Sequence, residues 1–137
     1  MTQSLQDVQR QIDWLCDAMI PGDPDLGFPS ARDVDVQNTL LPAALGTRPD
    51  LAPDFLALVA RFPRDCPPDP LALVNAASED ERALLGRFIA GAYLMSPQVT
   101  ERLGYPGFQE LPLDPDYDEI MAAVEPIVER GPIYREV

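Results

Sequence analysis

Histidine and lysine are both missing from these 137 residues. Without imidazole the chain cannot build a serine or cysteine triad, a His-ligated zinc or haem site, or the commonest kind of acid–base catalyst. Without lysine it has no Schiff base and no P-loop cation. Neither G-x-x-x-x-G-K-[ST] nor G-x-G-x-x-G occurs, so no nucleotide cradle is recognisable. Positive charge is short as well: ten arginines face 23 Asp and Glu, for a net charge of −13. That leaves no basic stripe to neutralise phosphates, which argues against nucleic-acid binding and against anionic membranes. A well-solvated surface explains the acidity more simply than a dedicated docking field.

Cysteine is scarce too. Cys16 and Cys66 form no C-x-x-C or C-x-x-C-H motif, so neither a metal knuckle nor covalent haem attachment is indicated. A disulfide between them and two reduced, partly buried thiols are both open. The second is favoured, because the N-terminus lacks a basic region followed by an apolar stretch and a small-residue cleavage site. No apolar run approaches the roughly 18 residues that span a bilayer.

What is present is enough to fold. Leu, Ile, Val and Phe make roughly 27% of the chain, above the level near 20% at which a charged chain fails to build a core. Sixteen prolines and eight glycines punctuate the chain without reaching low-complexity composition. Ser4 with Asp7 opens a first helix whose face carries Leu5, Val8, Ile12, Leu15 and Met19, ending at Pro21-Gly22. Residues 23–29 are an ordered, breaker-rich loop under which Leu26 and Phe28 tuck. Ser30 caps a second helix running to about Leu41, with Val34, Gln37 and Leu41 on one side and Pro42 ending or kinking it. Asp50 opens a third through Pro53, with Phe55, Leu58, Val59 and Phe62 at core spacing. Asp69-Pro70 starts a short helix carrying Leu71, Leu73 and Val74.

Ser78 and Glu81 form a capping box ahead of the central helix, which presents Leu84, Leu85, Phe88, Ile89, Ala92 and Met95 to the core. Gly86, Ala90 and Gly91 give it a small-residue flank suited to a close helix neighbour. Ser96-Pro97 begins a helical turn to Leu103, ended by Gly104-Tyr105-Pro106-Gly107. Asp114-Pro115 opens a last helix with Ile120, Met121, Val124, Ile127 and Val128 as its stripe, kinked at Pro126. A tail of Ile133 and Tyr134 follows Gly131-Pro132. No stretch alternates with period two between hairpin turns, so little sheet is expected.

Candidate chemistry is thin. Asp114, Asp116, Asp118 and Glu125 imitate the ends of a calcium loop, but Glu119 stands where that loop requires glycine. Carboxylates at a helix N-terminus are favoured by its dipole without any ion. Trp14 beside the first helix's core face reads as packing. In the Gly-Tyr-Pro-Gly turn, Gly104, Gly107 and Pro106 constrain the backbone and hold Tyr105 at a defined place. A helix C-cap with Tyr105 buried and its hydroxyl hydrogen-bonded is the simpler reading; a contact presented to another subunit is the alternative.

Leu15-Cys16-Asp17-Ala18-Met19-Ile20-Pro21-Gly22, followed by a Pro/Asp-rich loop, and Glu101-Arg102-Leu103-Gly104-Tyr105-Pro106-Gly107 after the central helix resemble the gluconate 2-dehydrogenase subunit 3 family. The likeness spans residues 5 to about 110. The tryptophan expected shortly before the Gly-Tyr-Pro-Gly turn is absent, Val99 and Thr100 standing near there. The resemblance implies an accessory helical subunit that binds, stabilises or assists maturation of a large FAD-dependent sugar or polyol dehydrogenase of the glucose-methanol-choline type. FAD is then expected in the partner subunit, with no cofactor, metal or catalytic residue on this chain. Family members often carry a twin-arginine export signal. This chain shows no paired arginines ahead of its first helix, so it reads as cytoplasmic, and as periplasmic if a signal was removed or the partner supplies one.

The expectation is therefore an all-α domain of about five to seven helices joined by Pro-rich loops. Residues 1–110 form its body, and residues 111–137 form a C-terminal helix and tail packing on the body or on a partner. Partner contacts are expected at Leu26, Phe28, Tyr105, Pro106, Phe108, Ile133 and Tyr134. The rival from another class is a free-standing acidic helical module or regulator that binds a basic protein surface.

Overall fold

A computed structural model describes residues 3–110 and 114–133. The architecture is all-α, with seven α-helices and no strand among the described residues. The chain divides into two units, Met1–Gly107 and Phe108–Val137.

In the first unit, the Ser4 N–H and hydroxyl both donate to Asp7 Oδ2, at 2.9 and 2.7 Å. This launches a 3-10 turn at Leu5–Val8 and then α1, Gln9–Met19. The expected stripe is inward, with Val8, Ile12 and Leu15 buried. Trp14 is buried as well, stacking edge-on against Phe62 and donating its indole N–H to the Pro63 carbonyl at 3.1 Å. The ring thus ties α1 to the end of α3, Ala52–Ala60, as its packing role required. Phe55, Leu58 and Val59 of α3 are buried in the same core.

Segment 30–47 departs from expectation. Ser30 does make a reciprocal cap with Asp33, but a turn follows and no helix forms there. Asp35 takes left-handed angles, with φ of 53°, and its carboxylate accepts from Asn38 and Thr39. That local bonding competes with helix continuation. The chain re-enters as a π-helical turn at Val36–Leu40 and then as α2, Leu41–Thr47. Pro42 therefore sits in the first turn of α2, where its missing N–H costs nothing, instead of ending a helix. Gln37 and Leu41 still face inward, so the predicted face is correct although the helix is broken. Asp50 does not cap α3. It is held by Arg48 in a two-pronged pair at 2.9 and 2.7 Å, which lowers its carboxyl to about 2.

Asp69 accepts from the Ala72 N–H and opens α4, Pro70–Asn75. The capping box is reciprocal, with Ser78 N to Glu81 Oε2 at 2.9 Å and Glu81 N to Ser78 Oγ at 3.2 Å, and it opens α5, Glu79–Leu94. Helix α5 buries Leu85, Phe88, Ile89 and Ala92 against α2, α3 and the π-helical turn. Phe88 meets Phe55 with ring centroids 4.8 Å apart. Met95 lies past the end of α5 and is exposed; Val99 of α6, Pro97–Arg102, is buried instead. Added Cβ atoms at Gly86 and Gly91 meet nothing within 4 Å, so among the described residues of the first unit no helix approaches this flank closely.

In the second unit the last helix, α7, is Tyr117–Arg130. Its cap is Asp116, which accepts from the N–H groups of Asp118 and Glu119, so the helix starts after Asp116 and not at Asp114. Helix α7 runs through Pro126 and stops at Gly131, whose φ is 72°.

Both cysteines are free. Cys16 is buried, and that burial, with Asp17 and Asp13 adding to it, pushes its thiol up to about 12; Cys66 is exposed and not partly buried. Titration of the native chain with a disulfide reagent near pH 8 should modify Cys66 quickly and Cys16 only after denaturant is added. Rapid reaction of both would contradict the burial.

Asp7, Asp33 and Glu81 are all held below their ordinary values, chiefly by bonds from Ser4, Ser30 and Ser78. Folded values below unfolded ones add stability that is complete above the ordinary 3.8 for Asp and 4.5 for Glu. It is lost as pH falls through the lowered folded values. The urea midpoint should therefore fall on acidification through this range; a midpoint that rises there would refute the assignment.

Candidate functional site

The most constrained surface feature is the loop between α1 and the 31–35 turn. Three prolines, Pro21, Pro24 and Pro29, deny it donors, so its carbonyls need partners from elsewhere. Asp23 and Phe28 exchange backbone bonds at 2.9 and 2.8 Å, while Asp23 Oδ1 accepts from the Leu26 N–H at 3.0 Å. The Ala31 N–H closes the base of the loop on the Ile20 carbonyl at 3.0 Å. Two side chains from later helices complete it. The Tyr93 hydroxyl donates to the Pro29 carbonyl at 2.6 Å. The Arg102 guanidinium donates twice to the Leu26 carbonyl, at 2.8 and 2.5 Å.

Arg102 closes α6, whose end is a Schellman motif. The Tyr105 N–H reaches the Thr100 carbonyl at 2.9 Å and the Gly104 N–H reaches the Glu101 carbonyl at 3.0 Å, with Gly104 at φ of 69°. The Gly-Tyr-Pro-Gly turn is thus a helix C-cap, as the simpler reading had it. Tyr105, however, is 55% exposed, and its hydroxyl makes no hydrogen bond among the described residues. The motif spends its backbone constraint on presenting the ring. The half-buried, bonded tyrosine of this region is Tyr93, one helix earlier.

Of the expected contact residues, Leu26, Phe28, Tyr105 and Pro106 belong to the first unit. Arg102 brings the Leu26 loop to the end of α6, from which Tyr105 and Pro106 continue. Leu26 is 58% exposed and so does not tuck under its loop as expected, Phe28 is half-buried and Pro106 is exposed. Phe108 and Ile133 belong to the second unit and are exposed there. Tyr134 lies outside the described residues. Leu103 and Leu94 are also exposed. They were missed because each sits at a helix end, where a periodic count assigns it to the core stripe or to none.

Elsewhere, an open pocket of about 230 Å³ lies between α3, α4 and the start of α5, lined by Leu58, Phe62, Leu73 and Ala77. It falls below the roughly 300–1,000 Å³ typical of ligand sites. Arg61 and Glu81 at its wall are paired with each other, and Glu81 is held below its ordinary value, the wrong direction for a general acid. Among the described residues, no group of three or more His, Cys, Asp or Glu side chains is placed to hold a metal ion. No described helix is long and apolar enough to cross a membrane.

Comparison with family models, with curated proteins and with solved structures finds no match.

The loop's geometry makes its own test. Gly22 has φ of 83°, and a Cβ there would lie 2.8 Å from the Ser30 backbone nitrogen; Gly104 has a similar φ with open space around it. Gly22→Ala should cost more than Gly104→Ala, the latter being about 1–2 kcal/mol for left-handed angles alone. Equal losses in urea denaturation would show that the loop base is not closed as described.

Proposed function

We propose that this chain is a non-catalytic small subunit that binds and stabilises a large FAD-dependent sugar or polyol dehydrogenase of the glucose-methanol-choline type. One observation carries the reading. The two stretches that resemble the gluconate 2-dehydrogenase subunit 3 family, residues 15–22 and 101–107, are distant in sequence, and the second bonds to the loop that follows the first, at Leu26. The loop that leaves the first is clamped by Arg102 of the second. Around that clamp, Leu26, Leu103 and Tyr105 stand exposed on backbone held by hydrogen bonds. Apolar side chains on a pre-ordered backbone suit a stable partner, because little further entropy is lost when they are covered. Flavin belongs to the large subunit in this reading.

Co-purification from the native host tests it. The expected result is a yellow complex containing a much larger chain, stable to salt because its contacts are apolar. Tyr105→Ala should weaken that complex by about tenfold or more, the usual scale for an aromatic anchor. A large subunit that is equally soluble, flavin-loaded and active without this chain would overturn the proposal. A colourless monomer whose associations vanish with salt would return the acidic interaction module as the better reading.

A further inference from the structure

Helix α7 has a property that its own unit does not account for. At 14 residues with Pro126 inside, it sits near the roughly 12–15 residues below which isolated helices are marginal in water, and it lacks a hydrogen bond at the proline. The Asp116 cap and the arginine in its last turn favour it only locally. A helix of this kind holds when its apolar face is covered. That face is Tyr117, Ile120, Met121, Val124, Ile127 and Val128, with exposures between 40% for Val124 and 73% for Tyr117. Among the described residues, the second unit contains no other helix to lay on it.

The charges on α7 are not spread evenly around it. At about 100° per residue, Asp118, Glu125 and Glu129 fall together along one edge of the stripe. A shallow groove runs between Met121, Val124 and Val128 on one side and Glu125 and Glu129 on the other. The opposite edge is bordered by Ala123. Over the rise of a helix the acidic row spans about 16 Å.

We propose that α7 is a docking helix, and that its occupant is an apolar groove on another protein with arginine or lysine along one rim, facing Asp118, Glu125 and Glu129. Charge complementarity selects this occupant. A second copy laid antiparallel on α7 would set the same acidic row against itself, and an anionic bilayer would repel it. The mode is helix-in-groove recognition, with anchors at i, i+3, i+4 and i+7 supplying contact area and the acidic row setting orientation. This inference goes beyond the proposed function, since it concerns a different unit and requires no flavoprotein.

The test uses the full chain in its native host, with the photo-crosslinking residue p-benzoylphenylalanine at Met121, at Tyr105, or at Ala122 on the far side of α7. Linked peptides are identified by mass spectrometry. The expected result is a single partner peptide containing arginine or lysine linked to Met121, with at least about tenfold less product from Ala122. Glu125→Lys with Glu129→Lys should cut the Met121 yield by about tenfold, and Glu125→Gln with Glu129→Gln by less. Cations in the last turns suit the helix dipole, so lost helicity would not account for that drop. The inference is overturned by linkage to residues 1–107 of the same chain, to a second copy or to lipid, by no linkage, or by a yield indifferent to charge reversal. Linkage of Tyr105 but not Met121 to a flavoprotein would sustain the proposed function alone; linkage of Met121 to a basic groove on a different protein would sustain the docking helix alone.

Discussion

Two main-chain carbonyls, those of Leu26 and Pro29, hold the working surface together. A loop with three prolines cannot satisfy its own backbone, and each carbonyl finds its donor on a later helix, in Arg102 and in Tyr93. Those bonds draw the start and the end of the first unit into one place. They also define how much of the loop is free to present side chains. Leu26 points out because its carbonyl is engaged, and Phe28 is half-covered because its backbone is paired with Asp23.

The core beneath that surface is ordinary in chemistry and specific in geometry. Helix α5 lies against α2, α3 and the π-helical turn, and the Phe55–Phe88 pair joins it to α3. The π-helical turn has no cap of its own. Asp35, in left-handed angles and bonded to Asn38 and Thr39, resets the chain so that Val36, Gln37 and Leu41 can all face inward. Gln11 and Gln37 each bury an amide oxygen without a hydrogen-bond partner. Such orphaned acceptors cost stability; one sits in the regular helix α1 and the other in the π-helical turn.

Arginine serves as the only cation and is used in forked pairs. Arg32 holds Asp17, Arg48 holds Asp50, and Arg102 holds a carbonyl. A guanidinium matches a carboxylate with two parallel bonds, or converges two N–H groups on one carbonyl oxygen as Arg102 does, which lysine's point charge does not reproduce. In a chain with such an excess of acid, these three arginines serve internal geometry. The acids left over are on the surface, and on α7 they are organised to one side.

The elements that local chemistry dictates were legible in the amino-acid order itself. Ser78 with Glu81, Asp69 with Pro70, the α1 stripe and the stop at Gly104 each rest on residues within a few positions of one another, so spacing alone determined them. The left-handed Asp35, the π-helical turn, the Arg48–Asp50 pair that removes an expected cap, and the exposure of Tyr105 and Met95 were decided only in the folded molecule. So was the meeting of Leu26 with Arg102. The physical reason is that burial and carbonyl satisfaction depend on which segments lie alongside one another. No local pattern contains that information for a loop whose donors stand on helices far along the chain.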